Sequence, residues 1–166
     1  MESDETIEIE VTDASGRLDA DRQTWLAHRA RCAMQTVGVR GRLGIRIVGD
    51  AEMKRAHSRH SGVEGTTDVL TFDLRSPTHR GEPGELRGIQ AIGLDTDVLV
   101  CIDEAARQTA TNGLPVEREL LLYVVHGLMH CLGHDDHDPE AASRMHGAED
   151  ALLIELGVGA TFGSVP

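Results

Sequence analysis

Alternating apolar and polar residues predict four strands in this 166-residue chain. Residues 7–11 (IEIEV) alternate isoleucine or valine with glutamate, and residues 42–48 (RLGIRIV) alternate apolar side chains with arginine or glycine. A period of two is typical of a strand with one face in water. Residues 67–74 (TDVLTFDL) and 95–103 (DTDVLVCID) predict two further strands, and the last is apolar enough to be central.

Apolar residues at helical spacing predict three helices among these strands. The first has Asp19 or Asp21 as its N-cap and runs to about residue 37. The second has Asp50 as its N-cap and runs through residue 60, and the third begins at a cap by Asp103 and stops at Gly113. Aspartate is a preferred N-cap because its carboxylate accepts from the exposed N–H groups of the first turn.

Two more helices are predicted in the last third of the chain. Leu114 and Pro115 open a long helix whose middle, residues 120–132 (LLLYVVHGLMHCL), is apolar nearly all round, which is typical of a buried central helix. Asp138 followed by Pro139 predicts the start of a last helix, which Gly157 ends. Residues from about 158 to 166 are expected to be frayed.

The resulting order, β-α-β-α-β-β-α-α-α, predicts an α+β fold. We expect a single domain over residues 1–166, with a mixed sheet of about four strands packed against helices. Residues 75–90, with Pro77 and Pro83, are predicted to be a loop.

Charge and cysteine content narrow the class of protein. The formal net charge is −12, from 28 acidic and 16 basic residues, which excludes a surface that coats nucleic acid broadly. A local basic face is still expected, because six basic residues lie within 26 positions: Arg29, Arg31, Arg40, Arg42, Arg46 and Lys54.

The three cysteines, Cys32, Cys101 and Cys131, are far apart and predict neither a disulfide framework nor a thiolate zinc site. The acidic N-terminus does not resemble a signal peptide, and no run reaches the roughly 20 apolar residues of a membrane span. We therefore expect a cytoplasmic protein without a membrane partner.

Residues 126–138 (HGLMHCLGHDDHD) contain four histidines and three aspartates. His126 and His130 are four residues apart, so on a helix they project from one face and can chelate one ion. Gly133 can take the left-handed conformation that ends the helix and turns the chain back. Asp136 is favoured as the third ligand on spacing, and His137 is the rival because imidazole is the commonest zinc ligand.

The pattern therefore predicts one Zn²⁺ on the buried central helix. Cys131 is interpreted as a small core residue, not a ligand. Three protein ligands leave one coordination position for water, as in catalytic zinc sites, so hydrolysis is the natural reaction class. Metzincin proteases share this spacing but place a glutamate directly after the first histidine, where this chain has Gly127.

These residues carry a resemblance to a known family. The segment HGLMHCLGHDDHD resembles the H-G-x-L-H-L-x-G-(Y/x)-D-(H/D) signature of the YbeY family of bacterial metal-dependent endoribonucleases. TTDVLTFD, DVLVCID and the C-terminal PEAASRMHGAEDALL also resemble the family's two strands and its closing helix, so that the resemblance spans about residues 50–156.

The resemblance implies a four-stranded sheet, a zinc held by three side chains, and cleavage of single-stranded RNA near the 3′ end of small-subunit ribosomal RNA. His126 and His130 match the first two ligands, and Asp136 stands where many members have histidine and others aspartate, with His137 one residue later. Many members carry an arginine before the T-D-V-L strand, where this chain has Ser61; either Arg59, two residues away, takes its role or the role is absent. The implied partners are single-stranded or ribosomal RNA and the ribosome with its associated proteins.

Two other functions compete with the endoribonuclease hypothesis. One is a metal-dependent hydrolase of peptides or small molecules that lacks the usual glutamate base. The other is a non-catalytic binding module in which the metal only stabilises a loop. Four protein ligands would favour the module, whereas an open position flanked by basic residues would favour the nuclease.

Overall fold

The computed structural model describes residues 6–75 and 92–161. Within them the strands are β1 (Ile7–Asp13), β2 (Val39–Val48), β3 (Val69–Asp73) and β4 (Ile92–Cys101). The helices are α1 (Ala20–Thr36), α2 (Asp50–Ser61), α3 (Ile102–Asn112), α4 (Val116–Cys131) and α5 (Pro139–Glu155). The predicted number, type and order of elements are confirmed. None of the helices in these two ranges is long and apolar enough to cross a membrane.

The four strands form one mixed sheet in the order β1-β2-β4-β3. β1, β2 and β4 run parallel, and β3 is antiparallel to β4. The α+β class and the mixed sheet are therefore confirmed. β2 and β4 each begin three residues earlier than predicted, because their ladder continues to the pair Val39–Ile92. The alternation of apolar and polar residues along one strand does not show how far its hydrogen-bonded ladder with the neighbouring strand extends.

Two of the four predicted aspartate N-caps are confirmed. Asp19 accepts from the N–H of Arg22 at 2.9 Å at the start of α1, and Asp138 accepts from the N–H of Ala141 at 2.8 Å at the start of α5. Both carboxylates lie close in sequence to the donors they satisfy, so local pattern was sufficient to find them.

The other two predicted caps, Asp50 and Asp103, are wrong. Asp50 is the first residue of α2, and its carboxylate binds the guanidinium of Arg107 at 2.8 and 2.9 Å. Asp103 lies inside α3 and accepts from the N–H of Asp50 at 2.7 Å, so it serves the start of the neighbouring helix. In both cases tertiary packing places a hydrogen-bond donor from another helix beside the carboxylate, and this contact replaces the predicted cap of its own helix.

Residues 158–161, at the start of the segment expected to be frayed, are bonded to α4 and α5. The buried Arg118 of α4 donates to the carbonyls of Gly159 at 2.7 Å and Ala160 at 3.1 Å, and to the hydroxyl of Thr161 at 3.0 Å. Asp150 accepts from the N–H of Thr161 at 2.6 Å. Residues 162–166, and residues 76–90 of the predicted loop, lie outside the described part of the chain.

α4 is the central helix of the fold, as its apolar sequence predicted. It packs against α1, α3 and α5 and against strands β3 and β4. Its buried apolar side chains are Leu120, Leu121, Leu122, Tyr123, Val124, Val125, Leu128 and Met129. Leu43, Ile45 and Val98 of the sheet join the same core, so α4 is surrounded on most of its circumference.

Gly127 lets the backbone of α4 approach the sheet closely. A Cβ at this position would lie 2.8 Å from the hydroxyl oxygen of Thr71 on β3 and 3.0 Å from a methyl group of Val98 on β4. Both distances are shorter than an ordinary van der Waals contact. The residue after His126 therefore cannot carry a side chain unless Thr71, Val98 or the helix itself shifts.

We expect Gly127→Ala to lower the free energy of unfolding by about 1–2 kcal/mol, since overpacking exceeds the gain in helix propensity. Gly147→Ala is the matched control, because a Cβ added to Gly147 on α5 would have nothing within 4 Å of it. That substitution should raise the free energy of unfolding by about 0.5–1 kcal/mol. Urea denaturation measures both, and equal effects of the two substitutions would contradict the close approach.

Candidate metal centre

His126 and His130 lie one turn apart near the C-terminal end of α4. Their Nε2 atoms are 3.1 Å apart, and their rings meet at 85° with centroids 4.6 Å apart. His126 is partly buried and His130 is about one third exposed, so the pair sits where the buried helix reaches the surface. The two nitrogens face one point in space.

Gly133 turns the chain back over this pair. With φ at +94° it is in the left-handed region, and its N–H donates to the carbonyl of His130 at 3.1 Å. The N–H of His134 donates to the carbonyl of Met129 at 3.0 Å. These two bonds form a Schellman motif, which satisfies the last carbonyls of α4. The following residues are thereby directed towards the histidines.

Asp136 is the residue that this turn brings to the pair. Its Oδ2 lies 3.7 Å from Nε2 of His126 and 3.9 Å from Nε2 of His130. One ligand atom from each of the three residues lies within 4.8 Å of the others. In a tetrahedral zinc site, ligand atoms about 2.0–2.1 Å from the ion are about 3.3 Å from each other. The three side chains therefore fit a zinc ion with only small movements.

His137 lies apart from His126 and His130. Its side chain is 89% exposed, and its Nε2 lies 3.3 Å from Oδ1 of Asp135. Asp135, Asp136 and His137 form a second group with ligand atoms within 4.8 Å, but all three are exposed. Cys131 is also apart, with its sulfur 3.5 Å from the hydroxyl of Thr96. It forms no disulfide with either of the other two cysteines, all three of which the structure describes.

Glu149 is a residue of the centre that sequence reasoning missed. It lies on α5, is fully buried, and places Oε1 2.6 Å from Nδ1 of His126. Its other oxygen, Oε2, is buried with no hydrogen-bond partner within the described ranges. The signal was present in the sequence, because Glu149 interrupts the apolar stripe formed by Met145, Leu152 and Leu153.

Both histidines have Nδ1 occupied by an acceptor. Glu149 accepts from Nδ1 of His126, and the backbone carbonyl of His134 accepts from Nδ1 of His130 at 3.1 Å. With the proton on Nδ1, each Nε2 carries the lone pair that a metal needs. Carboxylates and carbonyls in this role hold ligating histidines in orientation and make them more basic.

The charge around His126 favours a cation. Burial acts against the charged imidazole, but the hydrogen bond and the negative charge of Glu149 outweigh it, with Asp68 and Asp136 adding to the effect. The pKa of His126 is therefore raised above its ordinary value. The negative charge that stabilises the protonated imidazole would also stabilise a divalent ion bound there.

A cleft of about 430 Å³ opens beside the three side chains, between α3, α4 and α5. His126, Asp136 and Glu149 lie in its wall, together with Asp68, Glu104 and Glu119. No lysine or arginine of the described ranges lines it. The basic flank that would favour a nuclease is thus not part of this cleft.

The chain matches one protein family over nearly its whole length. A sequence profile of the family described as Endoribonuclease YbeY matches residues 6–157. Proteins of that name are 38% identical over 111 residues in Renibacterium salmoninarum, covering 66% of this chain and 68% of the relative. The Parafrankia sp. relative is 33% identical over 159 residues, covering 93% and 97%.

A third relative is longer than this chain. The Endoribonuclease YbeY of Myxococcus xanthus is 32% identical over 152 residues, covering 92% of this chain but 48% of the relative, so the chain spans about half of its length. Among solved structures, a solution structure of a Thermotoga maritima protein matches with a TM-score of 0.53 at 19% identity, covering 89% of this chain and 90% of the other. That likeness concerns the fold alone.

We expect Asp136→Ala to weaken zinc binding more than about 100-fold, because it removes one of three converging ligand atoms. His137→Ala should weaken it by no more than the roughly 10- to 100-fold effect of an outer-shell partner. Zinc dissociation constants from competition with a chromophoric chelator provide the measurement. The reverse ranking would assign the third position to His137.

Glu149→Gln should weaken zinc binding about 10- to 100-fold, since the amide can still accept from His126 but lacks the charge that supports the ion. Glu155→Gln is the control, because Glu155 is an exposed glutamate on the same helix. Its zinc affinity should equal that of the parent protein. Equal affinities of all three proteins would show that Glu149 does not support the metal.

Proposed function

Since the chain belongs to the Endoribonuclease YbeY family, we propose that it is a zinc-dependent endoribonuclease that cleaves single-stranded RNA at the His126–His130–Asp136 centre. The profile match over residues 6–157 confirms the family resemblance inferred from the sequence. The observation that carries the proposal is the convergence of two Nε2 atoms and one carboxylate oxygen at the mouth of a cleft. Maturation of the 3′ end of small-subunit ribosomal RNA and ribosome quality control are the proposed roles, with the ribosome as partner and the cytoplasm as location.

The donor set suits a hydrolytic metal. A zinc ion there would polarise a phosphoryl oxygen and lower the pKa of a water molecule. His126, His130 and Asp136 would hold the ion, and Glu149 would keep the His126 ring in its tautomer and orientation. Three ligand atoms, not four, meet at this point among the described residues, which supports a catalytic site over a structural one.

The competing functions receive less support. A metzincin-like protease needs a carboxylate directly after His126, where this chain has Gly127, packed closely against the side chains of Thr71 and Val98. A binding module stabilised by metal would close the coordination shell with a fourth side chain, and His137 and Cys131 both lie elsewhere.

RNA backbone contacts are proposed on a separate basic surface. Lys54, Arg55 and Arg59 of α2 line one shallow groove. Glu64 and Gly65, which follow the helix, complete its wall. Ser61, which stands at the position of the family arginine, donates its hydroxyl to the carbonyl of His57 at 2.8 Å. Arg59 is therefore the better candidate for that role, and affinity for single strands depends on such cationic contacts.

We expect His130→Ala to lose both zinc and RNA cleavage while the fold remains, because His130 is partly exposed and bonds only a backbone carbonyl through Nδ1. His126→Ala would lose both as well, but it would also leave the buried Glu149 carboxylate unpaired and destabilise the fold by about 3–5 kcal/mol. Metal analysis, circular dichroism and cleavage assays with single-stranded, double-stranded and ribosomal RNA distinguish these outcomes.

His28→Ala is the control for these variants, because His28 is an exposed histidine on α1. It should retain zinc and activity. Cleavage by His130→Ala at the parent rate, or a zinc-loaded parent that cleaves none of the three RNAs, would refute the proposed activity.

A further inference from the structure

Strand β1 leaves one edge of the sheet without a neighbouring strand. It stands at the end of the order β1-β2-β4-β3, and among the described strands it pairs only with β2. β1 contains no proline, no lysine and no bulge, which are common features that keep other strands from pairing with an edge. Its shape therefore permits backbone hydrogen bonds from another chain.

The register with β2 shows which backbone groups of β1 point outward. The N–H of Gly41 donates to the carbonyl of Thr6 at 3.2 Å, and the N–H of Ala14 donates to the carbonyl of Ile47 at 2.9 Å. In a parallel ladder alternate residues bond to the neighbouring strand, so the even-numbered residues of β1 face β2. The residues whose N–H and C=O groups point away from β2 are Ile7, Ile9, Val11 and Asp13.

Only the beginning of this edge is covered. Arg31 of α1 donates through Nη1 to the carbonyl of Ile7 at 2.6 Å. Among the residues that the structure describes, the outward N–H and C=O groups of Ile9 and Val11 have no hydrogen-bond partner. A depression of about 380 Å³ lies beside the first four residues of β1, with Arg31 and Arg42 also in its wall. The edge from Ile9 onward thus has free backbone groups, and there is room beside the strand.

The two faces of β1 differ in chemistry. Ile9 and Val11 pack against the hydrophobic core and remain half-buried at its margin. Glu8, Glu10 and Thr12 are exposed on the opposite face. Because side chains of neighbouring strands stand side by side, an added strand would meet apolar groups on one face and carboxylates on the other.

The carboxylates of this face are not neutralised by their neighbours. Arg42 on β2 donates to Oε2 of Glu10 at 3.4 Å, but the same guanidinium also donates to Asp97 at 2.9 Å and Asp95 at 3.2 Å. One cation therefore serves three carboxylates. Glu8 forms no ion pair within the described part of the chain. Basic side chains placed beside Glu8 and Glu10 would be favoured, since opposite charges on adjacent strands attract.

A second copy of this chain does not fit the edge. Antiparallel pairing of two β1 strands in a register centred on Ile9 puts Glu8 of one copy opposite Glu10 of the other, and the next register puts Glu10 opposite Glu10. A further shift puts the apolar Ile9 opposite Asp13. Like charges directly opposite each other are destabilising. RNA is disfavoured as well, because the same carboxylates repel a polyanion.

We propose that the outward edge of β1, from Ile9 to Asp13, binds an extended segment of a partner protein in which basic and apolar residues alternate. The segment would extend the four-stranded sheet by one strand, and main-chain hydrogen bonds to Ile9 and Val11 would provide affinity. Its basic side chains would lie beside Glu8 and Glu10. The proposal does not rest on RNA cleavage, because β1 and β3 are opposite edges of the sheet and the metal-centre helix α4 packs against β3 and β4.

The test uses two labelled peptides with blocked ends, one alternating lysine with valine and the other alternating glutamate with valine. Fluorescence anisotropy with the full chain should show at least about tenfold tighter binding of the lysine peptide, because attraction replaces repulsion beside two glutamates. Amide hydrogen exchange followed by NMR should show protection of Ile9 and Val11 when the lysine peptide binds, since their N–H groups become bonded.

Two substitutions of Val11 test the backbone contact. Val11→Pro removes an outward N–H and leaves the ladder with β2 intact, so it should weaken binding of the lysine peptide about tenfold or more. Val11→Ala is the matched control, because it shortens the same side chain and keeps the N–H. Its affinity for the lysine peptide should stay within about threefold of the parent's.

Two charge reversals test the acidic face. Glu8→Lys should weaken binding of the lysine peptide about three- to tenfold, because it places like charges side by side. Glu155→Lys makes the same change in net charge at an exposed glutamate on α5. The affinity of this control should equal that of the parent protein.

Three results would overturn the docking edge. They are equal binding of the two peptides, protection that spares Ile9 and Val11, and equal loss of affinity in Glu8→Lys and Glu155→Lys. Dimerisation of the chain that Val11→Pro abolishes would assign the edge to a second copy instead. Protection of the same two amides by single-stranded RNA, and not by the lysine peptide, would assign it to nucleic acid.

Loss of folding in Val11→Pro, seen by circular dichroism, leaves the decision to the two charge reversals and to amide exchange in the parent protein. None of these measurements depends on RNA cleavage. A parent protein that cuts no RNA but binds the lysine peptide at Ile9 and Val11 would refute the proposed activity and support the docking edge. The opposite pair of results would refute the docking edge alone.

Discussion

The close packing of α4 on the sheet is the constraint on which the rest of the molecule depends. Gly127 removes the one side chain that would hold the helix away from β3 and β4. Apolar residues are buried on most of its sides, and Glu119, Tyr123 and His126 form the polar stripe of α4 that lines the cleft. The same packing that stabilises the core therefore determines where chemistry can occur, and it also excludes the glutamate base of a metzincin from its usual place.

The position of α5 completes the centre, and it depends on contacts at both ends of that helix. Asp138 caps its first turn, directly after the loop that carries Asp136. At the other end, Arg118 of α4 binds the backbone of residues 158–160, and Asp150 binds Thr161. α5 is thereby held against α4 with Glu149 facing His126. A buried carboxylate is costly unless it is paired, so this docking and the histidine bond support each other.

The distribution of charge reconciles an acidic protein with the proposed RNA substrate. Several carboxylates outside the cleft are matched by arginines, as Asp50 is by Arg107 and Asp97 is by Arg42. The cleft wall, by contrast, includes the carboxylates of Asp136 and Glu149 and no lysine or arginine among the described residues, so its charge would favour a divalent ion. The basic groove on α2 offers phosphates a different place. The proposed cation site and the proposed contacts with the RNA backbone thus lie on different surfaces.

The sequence by itself determined those features whose causes lie within a few residues. Period-two and helical patterns were sufficient for the order of the nine elements within residues 6–75 and 92–161, and apolar residues all round α4 were sufficient for its burial. The spacing of His126 and His130 and the turn at Gly133 follow from local backbone geometry, which is why the pair was identified.

Only the tertiary structure decided which distant carboxylate meets which partner. Glu149 reaches His126, and Asp103 serves α2 instead of its own helix, because these contacts depend on how helices dock. The tertiary structure also decided between Asp136 and His137. Both residues follow the turn at Gly133, and the path of the chain after that turn brings Asp136, not His137, to the two histidines.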